Sequence, residues 1–389
     1  MFLSYCTNIH PAETWSETFA ALLGPTTSVA RKLRRSQGDP FPVGLRLSAL
    51  AASELLEDRC RIRDLRAWME EENMLAYTIN GFPYGKFHGG RVKENVFAPD
   101  WSTPERVGYT RHLFQILAEL LPEGGEGSVS TVPGSFSGFV KAEPGRKAAI
   151  LAAFRQFALE LDQLADATRV DFHLGLEPEP LGLIDNTDNT LDFFSDLSEG
   201  ASSDERGAIL RRLGLCYDTC HFAIVGDDAA TALGKFAAAD IRLSKVHLSN
   251  ALTADPKAPG ALDHVAAFAE PVYLHQVVAD MAEQPPLRFP DLPDALDHPE
   301  AAAATQWRIH FHIPLYASPK APLGSTSTHL LDTARWLGNH PGRCRHFEIE
   351  TYTFNVLPEH LRPGTVEELI ISEFNWCNKH LLPIIAPGT

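Results

Sequence analysis

The sequence predicts an α/β fold, a (βα)8 barrel with a long insertion before the last strand. Three observations predict it. Short apolar runs alternate with longer segments of helical period along the whole chain. About eight such units fit in the 389 residues, as a closed parallel barrel requires. The first apolar run is not followed by a G-x-G-x-x-G turn, which removes the usual nucleotide-binding form of the main competitor, an open doubly wound sheet.

The elements follow in order. Phe2–Ile9 reads as a strand, and Thr14 and Glu17 stand at capping-box spacing ahead of Phe19, Leu22 and Leu23. Val43–Leu47 is a strand, Ser48–Glu72 an amphipathic helical stretch and Met74–Ile79 a strand. Pro104 sits at the first position of the next helix, which Pro122 ends. Ser128–Val132 is a strand. Lys147–Thr168 is a helix with Ile150, Phe154, Phe157, Leu161 and Leu164 on one face. Then come a strand at Phe172–Glu177, a short helix near Leu191–Leu197, a strand at Leu213–Tyr217, a helix at Asp228–Ala239 and a strand at Arg242–Leu248. The late strands are Arg308–Leu315 and His346–Tyr352, with a helix of about a dozen residues between them, and Thr365–His380 closes the chain. That makes nine strand candidates, so one is an excursion from a loop rather than a barrel stave. The segment 277–306, rich in proline, alanine and acid, reads as a loop insertion within a single domain spanning residues 1–389.

Composition excludes some functions. The formal net charge of −16 repels phosphate backbones and anionic lipid, so neither nucleic acid nor membrane is an expected partner. The short basic run from Arg31 to Arg35 reads as an exposed helix end. Six cysteines scattered over the chain do not form a disulfide scaffold, and Cys216 and Cys220 lack the C-x-x-C spacing of a redox pair. "MFLSYCTNIHPAETW" has no basic n-region or long apolar run, and no segment is long and apolar enough to span a bilayer. The expectation is a cytoplasmic protein.

In a barrel, sites lie at the C-terminal ends of the strands. Several predicted strands end there in potential ligands: His10 after the first, His88 beyond the third, Glu177 in "LGLEPEP", Asp218 and His221 in "LCYDTCH", His247 in "KVHLSNA", His310 and His312 in "RIHFHIP", and Glu348 and Glu350 in "HFEIETYT". A lone histidine on an apolar strand is usually a core residue, and a lone glutamate usually solvated. Glu177, Asp218, His247 and Glu350 together are harder to explain that way, because buried carboxylates need a partner or a cation. Such a mixed O/N set suits a divalent metal ion, Mn²⁺, Zn²⁺, Co²⁺ or Fe²⁺, better than Mg²⁺ or Ca²⁺. Arg46 and Lys93 are weaker candidates for substrate oxygens, with a surface ion pair as their ordinary reading.

The order of the "E-P" strand, the "D-x-x-H" strand, the "H" strand and the final "E" strand resembles the xylose-isomerase-like TIM barrel superfamily of sugar isomerases, epimerases and apurinic endonucleases. A closer resemblance covers nearly the whole chain. Blocks such as "NGFPYGKFHGGRVKENVFAPDW", "STVPGSF", "CYDTCHFA" and "EIETYTFNVLP" are similar to the family of Ebo-type metabolite traffic proteins, member E. The superfamily resemblance implies Glu177, Asp218, His247 and Glu350 as metal ligands, with Glu177 and Glu350 as the acid/base pair and Glu348 as the alternative to Glu350. It implies that His221 contacts substrate or a second metal. His310 and His312 resemble an Asp-x-His pair that holds a further zinc in the endonuclease branch, with His310 in place of the aspartate, and His10 and His88 are looser candidates. No organic cofactor is expected.

Three functions follow. The first is a metal-dependent isomerase or epimerase of a sugar, cyclitol or related polyol, working through a metal-stabilised enediolate. The second is a multinuclear zinc hydrolase of a small phosphoester. The third is a non-catalytic metabolite-binding or traffic protein.

Overall fold

The computed structural model describes residues 1–34, 38–88, 93–362 and 364–386. Arg35 of the basic run and residues 89–92 of the "GKFHGGRV" block lie outside the described residues. Eight parallel strands form the barrel: β1 (Phe2–Tyr5), β2 (Phe41–Arg46), β3 (Met74–Asn80), β4 (Glu126–Thr131), β5 (Asp171–Leu176), β6 (Leu213–Asp218), β7 (Arg242–Leu248) and, late in the chain, β13 (His346–Ile349). Their order in the sheet is β1-β13-β7-β6-β5-β4-β3-β2. A parallel bridge from Cys6 to Gly44 joins the two edges, so the sheet closes as a (βα)8 barrel.

The expected elements are present, several with shifted ends. The capping box at Thr14 and Glu17 forms on the first helix, Trp15–Ala21. Ser48–Glu72 is two helices, not one. Asp58 adopts an extended backbone between them, and its side chain accepts from the Cys60 N–H to cap the second, Arg59–Glu71. The strands expected at Phe2–Ile9 and His346–Tyr352 stop early, at Tyr5 and Ile349. A helix at Ser203–Arg212 had no counterpart in the sequence reading, although Ser202 and Glu205 form a capping box at its start.

The eighth of the nine strand candidates, Arg308–Leu315, is the excursion. It is β11 (Gln306–Ile313), and it pairs antiparallel with β8 (Asn250–Ala254) and β9 (Val277–Asp280). With β10 (Leu287–Phe289) and β12 (Leu323–Ser325) these make a five-stranded sheet of order β10-β9-β11-β8-β12. The insertion is therefore an ordered sheet between β7 and the helix Ser327–Asn339, and the segment 277–306 is part of it rather than a bare loop. Trp307, Ile309 and Phe311 of β11 are buried in the hydrophobic core.

Candidate metal centre

Register places the first candidate ligands. Asp218 ends β6 opposite His247 of β7, and His247 stands opposite Glu348 of β13. Side chains paired across parallel strands share a face, so all three point into the barrel at one level. Glu350 lies two residues beyond Glu348, on the same face one level nearer the C-terminal rim. Glu177 follows directly on β5. Every one of these side chains is buried.

They converge on one nitrogen. His247 Nδ1 lies 3.0 Å from Glu177 Oε1, 3.1 Å from Glu350 Oε2 and 3.7 Å from Asp218 Oδ2. Each carboxylate is held by its other oxygen or left with a free one. Glu350 Oε1 accepts from the amides of Asn8 (3.0 Å) and Asn80 (2.8 Å). Asp218 Oδ1 caps the helix Thr219–Val225, accepting from the Cys220 and His221 N–H groups and from the Ser249 hydroxyl. Glu177 Oε2 and Asp218 Oδ2 are buried with no hydrogen-bond partner.

The opposite face of His247 is braced. Its Nε2 lies 2.9 Å from Glu348 Oε2, and the same oxygen accepts from Lys245 Nζ at 2.7 Å. Glu348 thus braces the imidazole from behind and lies outside the converging set, which Glu350 faces. Space for Glu348 comes from Gly44 across the barrel: a Cβ there would lie 1.7 Å from Glu348 Oε1.

A second cluster adjoins the first. His221 Nδ1 meets the Pro178 carbonyl at 2.8 Å, His310 Nδ1 the Gln276 amide oxygen at 2.6 Å, and His312 Nδ1 the Glu350 carbonyl at 2.7 Å. These oxygens can only accept, so each Nδ1 carries the hydrogen and each Nε2 is left as a lone pair. His310 Nε2 and His312 Nε2 then face each other at 3.2 Å, and His221 Nε2 faces Glu179 Oε2 at 3.1 Å and Asp218 Oδ2 at 3.8 Å. Lone pairs so placed repel, and what relieves them is a proton or a cation between them. Glu179 was not among the residues singled out in "LGLEPEP". The signal was its position two residues after Glu177, on the same rim.

Negative charge is crowded at this site. Burial pushes the Glu177 and Glu350 carboxyls up from their usual range against the pull of His247, and pushes Glu179 up to about 7. Asp218 goes the other way: burial opposes its ionisation, but His221, His247 and His312 outweigh it and hold the carboxyl well below the ordinary range. Burial disfavours the His247 imidazolium too, yet Cys216, Glu177 and Glu350 hold its proton well above the usual pH. Burial lowers His221 and His310, leaving neutral imidazoles fit to ligate. Three carboxylates around one imidazole, two of them with an unpartnered buried oxygen, fit a divalent ion.

The remaining candidates sit elsewhere. His10 Nε2 bonds the Tyr5 hydroxyl at 3.0 Å. The His88 ring is held at both nitrogens, by the Tyr273 hydroxyl (2.7 Å) and by the Asn8 carbonyl. Neither joins the converging set. Arg46 is buried rather than on the surface, bonding the Ala12 and Gly85 carbonyls beside Glu13. Lys93 is likewise buried and pairs with Asp291. Sequence reasoning missed the Asn8 and Asn80 clamp, since an asparagine at a strand end is also an ordinary turn residue.

No protein-family model and no curated protein matches the chain. Solved structures do. A D-tagatose 3-epimerase-like protein superposes with a TM-score of 0.50 at 12% identity, covering 99% of this chain and 98% of the other. IolI with a bound zinc atom gives 0.49 at 12% identity over 99% and 98%. A probable 3-DHS dehydratase of petrobactin synthesis, AsbF from Bacillus anthracis, gives 0.49 at 12% over 97% and 99%. At such identity the likeness concerns the fold. The fold is a (βα)8 TIM barrel. Among the described residues no helix is long and apolar enough to cross a membrane.

Proposed function

We propose that the protein is a divalent-metal-dependent isomerase or epimerase of a sugar, cyclitol or related polyol. The observation that carries this reading is the flanking of one His247 nitrogen by Glu177 and Glu350, at 3.0 and 3.1 Å, where both glutamates line the same pocket. Glu177, Asp218, His247 and Glu350 would hold the metal, whether Mn²⁺, Zn²⁺, Co²⁺ or Fe²⁺. Once bound, the ion would supply Lewis acidity toward paired hydroxyl and carbonyl oxygens. Glu177 and Glu350, both beside His247 Nδ1, would remove and return the proton on the hydroxyl-bearing carbon next to the carbonyl. Asn8 and Asn80 fix Glu350 by one oxygen and leave the other turned toward His247 Nδ1. His221, with Nδ1 anchored on Pro178, presents Nε2 to the pocket.

One observation favours a second reading, a hydrolase with more than one metal: the facing Nε2 atoms of His310 and His312 beside Glu179 and His221. Mass spectrometry of metal content separates the two. One equivalent is expected for the isomerase, two or three for the hydrolase, and none sinks both. Glu350→Gln should keep the fold and lose most of the metal; unchanged metal content in that variant removes Glu350 from the ligand set. Proton exchange from solvent D2O into a bound hydroxy-carbonyl compound, lost in Glu177→Gln, tests the chemistry itself.

A further inference from the structure

We infer that this site takes a molecule with two unlike ends: an oxygen-bearing head at the metal cluster and an apolar, ring-sized remainder. The inference rests on the metal-centre reading above and concerns what lies beyond the head. The pocket opens to solvent, and its cavity volume is about 60 Å³. Its lining divides in two. One part is the carboxylate and histidine set, with Glu177, Glu179, His221, His310 and Glu350 joined through the contacts already described. The other part is Phe82, Phe87, Val96, Tyr273, Leu274 and Tyr352.

That second part is a mainly aromatic and aliphatic wall. The rings of Phe87, Tyr273 and Tyr352 lie 5.1 to 5.2 Å apart, and Phe87 and Tyr273 form a small hydrophobic cluster of their own, flanked by Val96 and Tyr352. Tyr352 also packs on His312 at 4.8 Å, which ties the wall to the metal end. The polar atoms near the wall are mostly engaged: the Tyr273 hydroxyl on His88, and the Lys93 ammonium on Asp291. A sugar or cyclitol carries a hydroxyl on nearly every carbon. Hydroxyls seated on this wall would give up water without finding partners, which is unfavourable. An apolar ring there would gain both area burial and ring contacts. Within the polyol class proposed above, the wall therefore selects a sugar, cyclitol or polyol head at the reacting end that carries a hydrocarbon-rich, planar or alicyclic group at the other.

Three hydroxamates share one chelating head and differ in the tail, so they separate the two ideas. Their affinities for the metal-loaded protein can be read by calorimetry: acetohydroxamate (methyl), benzohydroxamate (phenyl) and gluconohydroxamate (polyol). Benzohydroxamate should bind at least about tenfold tighter than acetohydroxamate, the order that burial of a six-membered ring produces. Gluconohydroxamate should bind no tighter than acetohydroxamate. Phe87→Ala and Val96→Ala should each shrink the phenyl preference, with acetohydroxamate binding showing that the variant is folded and metal-loaded. Equal affinities for phenyl and methyl, or tightest binding of the polyol, overturn the inference while leaving the metal centre standing. Failure of all three to bind a protein that retains no metal overturns the metal centre and the inference with it.

Discussion

Replacing Glu348 by glutamine tests how the metal centre is supported. One carboxylate oxygen, Oε2, serves both Lys245 Nζ at 2.7 Å and His247 Nε2 at 2.9 Å, and the lysine and glutamate side chains are 1% and 0% exposed. Glutamine keeps the shape but not the charge, so Lys245 is left as an uncompensated buried cation. Breaking a buried pair from one side costs about 3–5 kcal/mol. The imidazole also loses the anionic acceptor that fixes its orientation, which for partners behind a ligand typically weakens metal binding about 10–100-fold. Urea denaturation of the metal-free protein reads the first effect, and titration with Mn²⁺ or Zn²⁺ the second. Lys245→Met together with Glu348→Gln removes the stranded charge and should recover stability relative to Glu348→Gln alone, while metal affinity stays low. If Glu348→Gln loses less than about 1 kcal/mol, or the double variant is no more stable than the single one, the pair does not support the centre as argued.

Two further outcomes follow from the packing. Gly44→Ala would place a Cβ 1.7 Å from Glu348 Oε1 and 2.9 Å from Ser4 Oγ, so it should cost about 1–3 kcal/mol or more in urea denaturation and lower metal affinity; wild-type values for both would refute the close approach. Glu373 is buried, accepts from the Thr351 hydroxyl and the Leu315 N–H, and is pushed by burial from 4.5 up to about 7. A raised carboxyl favours the protonated folded state, so the contribution of Glu373 to stability is fully present below pH 4.5 and is lost as pH rises to about 7, by roughly 3 kcal/mol. Glu373→Gln should flatten that part of the stability–pH curve, and an unchanged slope would refute the assignment.

The alternation of strands and helices was legible because a parallel barrel buries each strand on both faces and each helix on one, and both patterns survive in the sequence. The converging side chains were legible for a related reason: Glu177, Asp218, His247 and Glu350 interrupt apolar strands just where the barrel puts its rim. Glu348 and Glu350 could not be told apart by alternation, since both face inward; only the registry with His247 and the position of Lys245 separates them. The insertion sheet was illegible as a sheet because its strands are as short as three residues and pair antiparallel across long gaps in sequence. His10 and His88 looked like ligands because they follow strand ends, but each ring is claimed by a tyrosine hydroxyl that periodicity does not reveal.

The two clusters stand on different supports. In the first, Asp218 and His247 sit on adjacent barrel strands in register, and Glu348 fixes His247 from the next strand over, so its geometry is set by the barrel itself. In the second, His221 begins a barrel helix, whereas His310 and His312 come from β11 of the insertion, where the register with β8 shifts between Ile309 and His312. Such irregularities re-aim side chains at sites. The bonds from Gln276 to Glu179 and from His312 to the Glu350 carbonyl are among those that fix the insertion sheet against the barrel at this point. A cation among Glu179, His221, His310 and His312 would therefore join insertion to barrel, whereas one at Glu177, Asp218, His247 and Glu350 would need the barrel alone. The first cluster can thus hold its geometry when the second is disturbed, but a shift of β11 that moves His312 also pulls on the backbone of Glu350, and through it on the first.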